Sequence, residues 1–521
     1  MRLLVTGTDT FLGAALARRL AAGHDVQTMG SADAQAPTYV GDGRDRDLAA
    51  RAVADRDAVI HIVHPGPTEA SDRDLVDLAT RGTYNLLTAG ASPSQFILIT
   101  SLCTFESYPS DLIVNEQYAP RPTTDAVDLA SYLSELAVRE VARSRPIRAI
   151  ALRMGEVVDD DSIRGRQPDP RWLHVDDAFQ AVERALSLEP DPREPKVGSW
   201  SVFHIVGAGI RTRFPMGYAG AERSGYKPRH DLTAGVPLPI PARPPRQVAR
   251  MTGQAGGSAR RVVLFGSNGP FGAVTAQVLA RDHVLRLASR RPVQEVIAQN
   301  RPQGPGAPLP SIFSPPHEHL IVDIARYDQV LEACRGMDGM INCTVERGHP
   351  VHAFLVNTIG AYNLARAAVE CGIRRLVQTG PEQVRRPFPY GYEHDYDVPG
   401  DAPVHSSDGL YAVSKYLGQE ILRVFAEEYD LEVPVLLWNG IHNPATMAWS
   451  PLGPGAFWAS WEDTGQAIRA ALHAPSFPHP YEVMNIAGDL PHGRFSNERA
   501  KRLLGWQPRD SFEHLWRRRL T

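Results

Sequence analysis

Cysteine is scarce in this chain: 521 residues carry only Cys103, Cys334, Cys343 and Cys371. They form no CxxC motif and no Cys/His cluster, which excludes a disulfide framework and a structural zinc site and fits a reducing cytoplasm. Long apolar runs are missing too, none approaching the roughly 20 residues that span a bilayer, so no membrane association is expected. Nor is there an excess of either charge. With 55 basic against 59 acidic side chains, the net charge of −4 provides no positive field for a polyphosphate backbone, and nucleic acid is not an expected partner. Met1 to Thr6 reads as a buried strand running directly into a glycine turn, which leaves no room for a signal segment.

What is present is a mix of 43% hydrophobic and 22% charged residues, enough to bury a substantial core. The length exceeds what one ordinary core organises, which predicts two domains. The chain also repeats itself. "RLLVTGTDTFLG", ending at Gly13, returns as "RVVLFGSNGPFG", ending at Gly272. "DLATRGTYNLL" pairs with "FLVNTIGAYNL", "LHVDDAFQAVERAL" with "ASWEDTGQAIRAAL", "FHIVG" with "MNIAG", and "GYKPR" with "GWQPR". Five collinear matches whose spacing drifts only by loop-sized insertions indicate duplication followed by divergence. A proline-rich piece, "PLPIPARPP", followed by "GQAGGS", reads as the linker. The expected domains are therefore 1–232 and 260–521, joined by 233–259.

Within each half, short apolar strands such as Phe96–Thr100 and Arg374–Thr379 alternate with amphipathic stretches such as Asp74–Ala89. That alternation predicts an α/β fold of two tandem Rossmann-like, doubly wound parallel sheets.

The glycine turn Gly266–Gly272 follows an apolar strand and opens a helix, the context in which such a turn cradles pyrophosphate. Gly266, Asn268, Gly269, Phe271 and Gly272 are the candidate contacts. At the end of the next strand, Ser289 and Arg290, followed by Arg291, stand where an NAD-selective site would carry an acid. Arginine there suits a 2′-phosphate and favours NADP(H), although arginines also commonly solvate the start of a loop. In the first half, Thr10 replaces the middle glycine, and "VQTMGSAD" offers no ribose partner.

"YAVSK" places Tyr411 and Lys415 four residues apart, on one face of a helix. A phenol titrating near 10 is a poor acid or base at neutral pH, and a neighbouring ammonium lowers its pKa toward the working range.

Taken with the glycine turn, these motifs resemble the extended short-chain dehydrogenase/reductase family, also called the NAD-dependent epimerase/dehydratase family, across nearly all of the chain outside the linker. The resemblance implies a small C-terminal substrate-binding subdomain in each half. It also implies Asp323 and Ile324 beside the adenine, Asn357 as the family asparagine, and Tyr411 and Lys415 as the catalytic pair, with Lys415 also reaching cofactor ribose. The family serine or threonine would align at Pro381, leaving Thr379 as the nearest substitute and Glu382 as a second choice. In the first half Ser101 matches that position, but Ser131 and Glu135 replace the tyrosine and lysine, and Ala79 replaces the asparagine. Asp42, Asp45, His174, Asp176 and Asp177 keep the framework pattern.

The implied function is an oxidoreductase, epimerase or dehydratase that binds one NADP(H) in the C-terminal half and acts on a small carbonyl or hydroxyl substrate, such as a sugar nucleotide. The first half is then an internal pseudosubunit that completes an intramolecular pseudodimer. Trp438, His442, Trp449 and Trp458 are candidates for the substrate wall. The alternative is a dinucleotide-binding sensor or scaffold without turnover.

Overall fold

The computed structural model describes the chain except residues 33, 35–36, 64–70, 190–197, 210–211, 235–250, 252–259, 305, 382–391, 393–394, 452, 454, 456 and 519–521. The chain divides into two compact units, Met1–Gln247 and Val248–Thr521. Most of the expected linker, and Glu382, lie outside the described residues.

The first unit contains β1 (Arg2–Thr6), β2 (Asp25–Gly30), β3 (Tyr39–Val40), β4 (Ala58–Ile62), β5 (Gln95–Ser101), β6 (Arg148–Met154), β7 (Glu156–Val158), β8 (Trp172–His174) and β9 (Ser199–Ile205). The second contains β10 (Arg261–Phe265), β11 (Val284–Ser289), β12 (Glu318–Ile321), β13 (Gly339–Asn342), β14 (Leu376–Pro381), β15 (Val433–Trp438), β16 (Gly440–His442), β17 (Trp458–Ser460) and β18 (Tyr481–Asn485). Each unit has a seven-stranded sheet, in the orders β3-β2-β1-β4-β5-β6-β9 and β12-β11-β10-β13-β14-β15-β18. The pairing of β1 with β2 and β4, and of β10 with β11 and β13, is parallel. The central strands carry fully buried runs such as Leu3, Leu4 and Val5, and Val262, Val263 and Leu264, as expected of strands covered by helices on both faces.

The repeat is carried by matching contacts as well as matching letters. Asp177 accepts the backbone N–H groups of Arg229 and His230 at 2.9 and 3.0 Å. Asp463 accepts those of Arg509 and Asp510 at 2.8 and 3.0 Å. The "VDD" and "WED" segments thus recur together with "GYKPR" and "GWQPR" because each buried carboxylate ties the two pieces of its unit together.

The expected continuous helix over 74–89 is interrupted. Helix Asp72–Asp77 passes through a π-helical turn, Leu78–Gly82, into helix Thr83–Thr88. The second unit repeats this with a π turn at Leu355–Ile359 before helix Gly360–Cys371. Such turns insert one residue into the ladder and concentrate at functional sites.

Candidate active site

The glycine turn of the second unit joins β10 to helix Pro270–Leu279. Gly266 has φ +77°, and a side chain there would collide with the backbone of Cys343 and Thr344. A Cβ at Gly272 would strike the carbonyl of Gly266, so both glycines are required by close packing. Gly269 differs: its φ is −77°, and a Cβ there would meet nothing nearer than the Gly266 carbonyl at 3.4 Å. The open surface above Gly269 and the free N–H groups of the helix start make a cradle that fits a pyrophosphate.

Ser289 ends β11 with its hydroxyl on the turn: it lies 3.1 Å from the Ser267 hydroxyl and accepts the Asn268 N–H at 3.0 Å. The Asn268 amide donates to the carbonyl of Arg291 at 2.7 Å. A cavity of about 230 Å³ opens here, lined by Asn268, Gly269, Ser289, Arg290, Asp323 and Glu346 among others. Asp323 accepts the Ala325 N–H at 3.0 Å. The carbonyl of Ile324 accepts the buried amide of Asn363 at 2.9 Å. Phe271, in contrast, packs edge-on against Trp438 with ring centroids 5.0 Å apart, and its side chain joins the core cluster.

Tyr411 is the second residue of helix Leu410–Tyr429, where the unpaired N–H groups of the first turn favour a negative charge. Lys415 lies one turn on, only 3% exposed, and its ammonium donates to the carbonyl of Thr344 at 2.8 Å. Burial, reinforced by the charge of Arg347, pulls the Lys415 ammonium down to about 7. Burial raises the Tyr411 phenol, and Arg347 partly offsets the rise. The Arg347 guanidinium stands 5.4 Å from the centre of the Tyr411 ring. Sequence reasoning missed this cation, which belongs to the loop after β13.

Asn357 lies in the π turn. Its amide donates to the carbonyl of Glu346 at 2.7 Å and to the Ser414 hydroxyl at 3.0 Å, while its carbonyl oxygen accepts the Glu346 N–H at 3.2 Å. It therefore couples the helix of Tyr411 and Lys415 to the loop that carries Arg347. Thr379, on β14, donates to the carbonyl of Asn342 at 2.9 Å and is 8% exposed. The four aromatic candidates have different surroundings. Trp438 is buried in the core, His442 and Trp458 meet at 4.2 Å, and the Trp449 indole donates to the Arg517 carbonyl.

The first unit diverges at the same landmarks. The Thr10 hydroxyl donates to the Gly7 carbonyl at 2.7 Å and accepts the Gly13 N–H at 3.0 Å, so a side chain spans the turn. Glu135 accepts from Arg153 at 2.7 Å and from Thr100 at 2.7 Å, with both members of the ion pair 6% exposed. Thr100 matches Gly380, whose neighbour is Gln419, so Glu135 corresponds to Gln419 and Ser131, not Glu135, takes the place of Lys415. Among the described residues, His174, Asp176 and His230 bring donor atoms within 4.8 Å of one another. These groups already have partners: His174 accepts the Asp176 N–H as a helix cap, and Asp176 pairs with Arg19 at 2.6 Å. No helix of the described residues is long and apolar enough to cross a membrane.

Comparison with known proteins gives consistent results. The sequence model of the NAD dependent epimerase/dehydratase family matches twice, over residues 3–160 and 262–437. A uronate dehydrogenase of Agrobacterium fabrum is 30% identical over 203 residues, covering 38% of this chain and 71% of that protein. An L-arabinose 1-dehydrogenase (NAD(P)(+)) of Haloferax volcanii is 23% identical over 268 residues, covering 48% of this chain and 97% of its own. The crystal structure of uronate dehydrogenase from Agrobacterium tumefaciens aligns at 24% identity with a TM-score of 0.39, over 49% of this chain and 87% of that one.

Proposed function

Because the chain belongs to the NAD dependent epimerase/dehydratase family of extended short-chain dehydrogenase/reductase enzymes, we propose that its second unit carries the one working site, holding NADP(H). The substrate is a sugar or sugar nucleotide bearing a reacting hydroxyl or carbonyl. The observation that carries this reading is Tyr411 at a helix start, one turn before a buried lysine and beneath a second cation, beside a glycine cradle open at Gly269.

Gly266, Asn268, Gly269 and Gly272 would hold the pyrophosphate, Asp323 and Ile324 the adenine side, and Ser289 and Arg290 the ribose with its 2′-phosphate. Phe271 supports the turn from the core side. When bound, the nicotinamide supplies the hydride chemistry. Tyr411 takes the hydroxyl proton during oxidation and returns it during reduction. Arg347 favours its phenolate, and Lys415 offers a donor to ribose. Asn357 and Thr379 complete the catalytic set as positioning groups, since their protons go to Glu346, Ser414 and Asn342.

The substrate class is supported by the relatives, whose names specify uronate, L-arabinose and, in Mycolicibacterium smegmatis, UDP-glucose. The first unit, without tyrosine or lysine at the matching positions, acts as a pseudosubunit. Steady-state assays with uronates, aldoses and UDP-sugars against NADPH and NADH test the proposal. Turnover that disappears in Tyr411→Phe while NADPH affinity persists supports an enzyme. A Tyr411→Phe protein that retains its cellular role points to a sensor.

A further inference from the structure

The two units keep cavities at opposite ends of corresponding sites. In the second unit the cavity lies at the glycine turn and the ends of β11 and β12, lined by Ser289 and Asp323. In the first it lies beyond the turn, at the ends of β4, β5 and β6, and is larger, about 360 Å³. That is the end where a reacting group, rather than an adenosine, would sit.

At the other end of the first unit the corresponding polar groups are already paired with one another. Thr10 spans the turn, and Asp42, the counterpart of Asp323, is bound by the Arg44 guanidinium at 2.9 Å. Arg44 reaches Asp74 as well, at 3.1 Å.

The wall of the retained cavity is largely apolar: Phe11, Ile62, Ile99, Met154, Trp172 and Phe214 contribute to it. Ser101 and Ser131 also line it, the Ser101 hydroxyl accepting the Cys103 N–H at 3.2 Å and keeping its proton to donate. Its charged members are compensated. Arg171 pairs with Asp169 at 2.5 Å and with Glu106 at 3.8 Å, and Glu156 pairs with Arg166 at 3.0 Å. Beneath the wall, Thr100 donates to Glu135, whose charge is neutralised by Arg153. The cavity therefore offers no uncompensated cation to an anion, and desolvating an unpaired carboxylate or phosphate here would be costly. Its size falls within the range that encloses small molecules.

The geometry points to a second, non-catalytic small-molecule site in the first unit, one that takes an uncharged, largely apolar compound of one or two rings bearing a hydroxyl or carbonyl. Its apolar part fills the space between Ile99, Met154 and Phe214, and its oxygen meets Ser101 and Ser131. The assignment does not depend on the chemistry proposed for Tyr411.

The test titrates the full-length chain with 2-naphthol and with 2-naphthoate by calorimetry at neutral pH. One 2-naphthol per chain is expected, bound at least about tenfold more tightly than the carboxylate, with NADPH failing to displace it. Ser101→Phe and Thr212→Trp, both on the cavity wall, are each expected to weaken it about tenfold or more and to leave NADPH affinity unchanged. Thr212 lies outside any helix or strand, so its variant remains informative if Ser101→Phe does not fold. Absence of saturable binding, equal or tighter binding of the carboxylate, displacement by NADPH, or full binding in both folded variants would each overturn the assignment.

Discussion

The Arg347 guanidinium stands 5.4 Å from the centre of the Tyr411 ring, so the phenol proposed as acid and base is flanked by a cation that does not come from its own helix. Its charge opposes the rise in phenol pKa caused by burial. Oxidation needs the phenolate and gains rate as pH rises through that pKa. Arg347→Gln should therefore displace the pH–rate profile toward alkaline pH by about 0.5–1 unit and lower turnover at neutral pH by about three- to tenfold. NADPH affinity should change little. A profile that stays in place, measured with the best substrate found, would remove Arg347 from the proton-transfer step.

Lys415 gives a stability prediction of defined sign. Its folded pKa is pulled down to about 7 from 10.5, chiefly by burial. Between these values the unfolded chain binds the proton and the folded chain does not, so stability rises with pH across the window. Below about 7 the whole cost of the buried charge is present. Lys415→Met should raise the melting temperature of the cofactor-free protein, by about 1–3 kcal/mol of stability at pH 6, with a gain that shrinks toward pH 10. Thermal melts at both pH values check this, and a loss at pH 6 would mean that the hydrogen bond to Thr344 outweighs the charge.

Glu135 and Arg153 form a buried pair in the first unit. Arg153→Met strands the carboxylate and should destabilise that unit by about 3–5 kcal/mol. Arg153→Met combined with Glu135→Leu should recover most of the loss, because both desolvated charges are then gone. Urea unfolding of the three proteins reads the difference directly.

Arg290 is the 2′-phosphate partner in the proposed site. Arg290→Ala should weaken NADPH by about 1.5–3 kcal/mol, roughly 10- to 150-fold, and leave NADH within about twofold. Equal losses for both nucleotides would instead assign Arg290 a general electrostatic or structural role.

The repeat, the parallel sheets and the helix that carries Tyr411 and Lys415 were legible in the sequence because each rests on local spacing. Strand and helix periods, the glycine turn and an i to i+4 pair need no knowledge of distant contacts. The π turns at Leu78–Gly82 and Leu355–Ile359 were not legible, since one inserted residue leaves an apolar pattern that still reads as continuous helix. Arg347 was hidden for a different reason. It sits in a loop far from Tyr411 in the chain, and only the parallel pairing of β13 with β14 and the packing of the helix Leu410–Tyr429 bring the two together. Arg153 did leave a signal, an arginine set between apolar residues in "AIALRM", which in a buried strand calls for an acidic partner. For the aromatic candidates, position along the chain did not tell burial: Trp438 belongs to the core, whereas the Trp449 indole reaches the Arg517 carbonyl.

The most direct test of the central claim is a calorimetric titration of the full chain with NADPH, repeated on Gly269→Asp. That position has an ordinary φ and room for a side chain, so the variant keeps its fold while placing a carboxylate where the pyrophosphate would lie. One NADPH per chain, lost in Gly269→Asp, is the predicted result. Two sites per chain, or one site that survives the substitution, would contradict a single working site in the second unit.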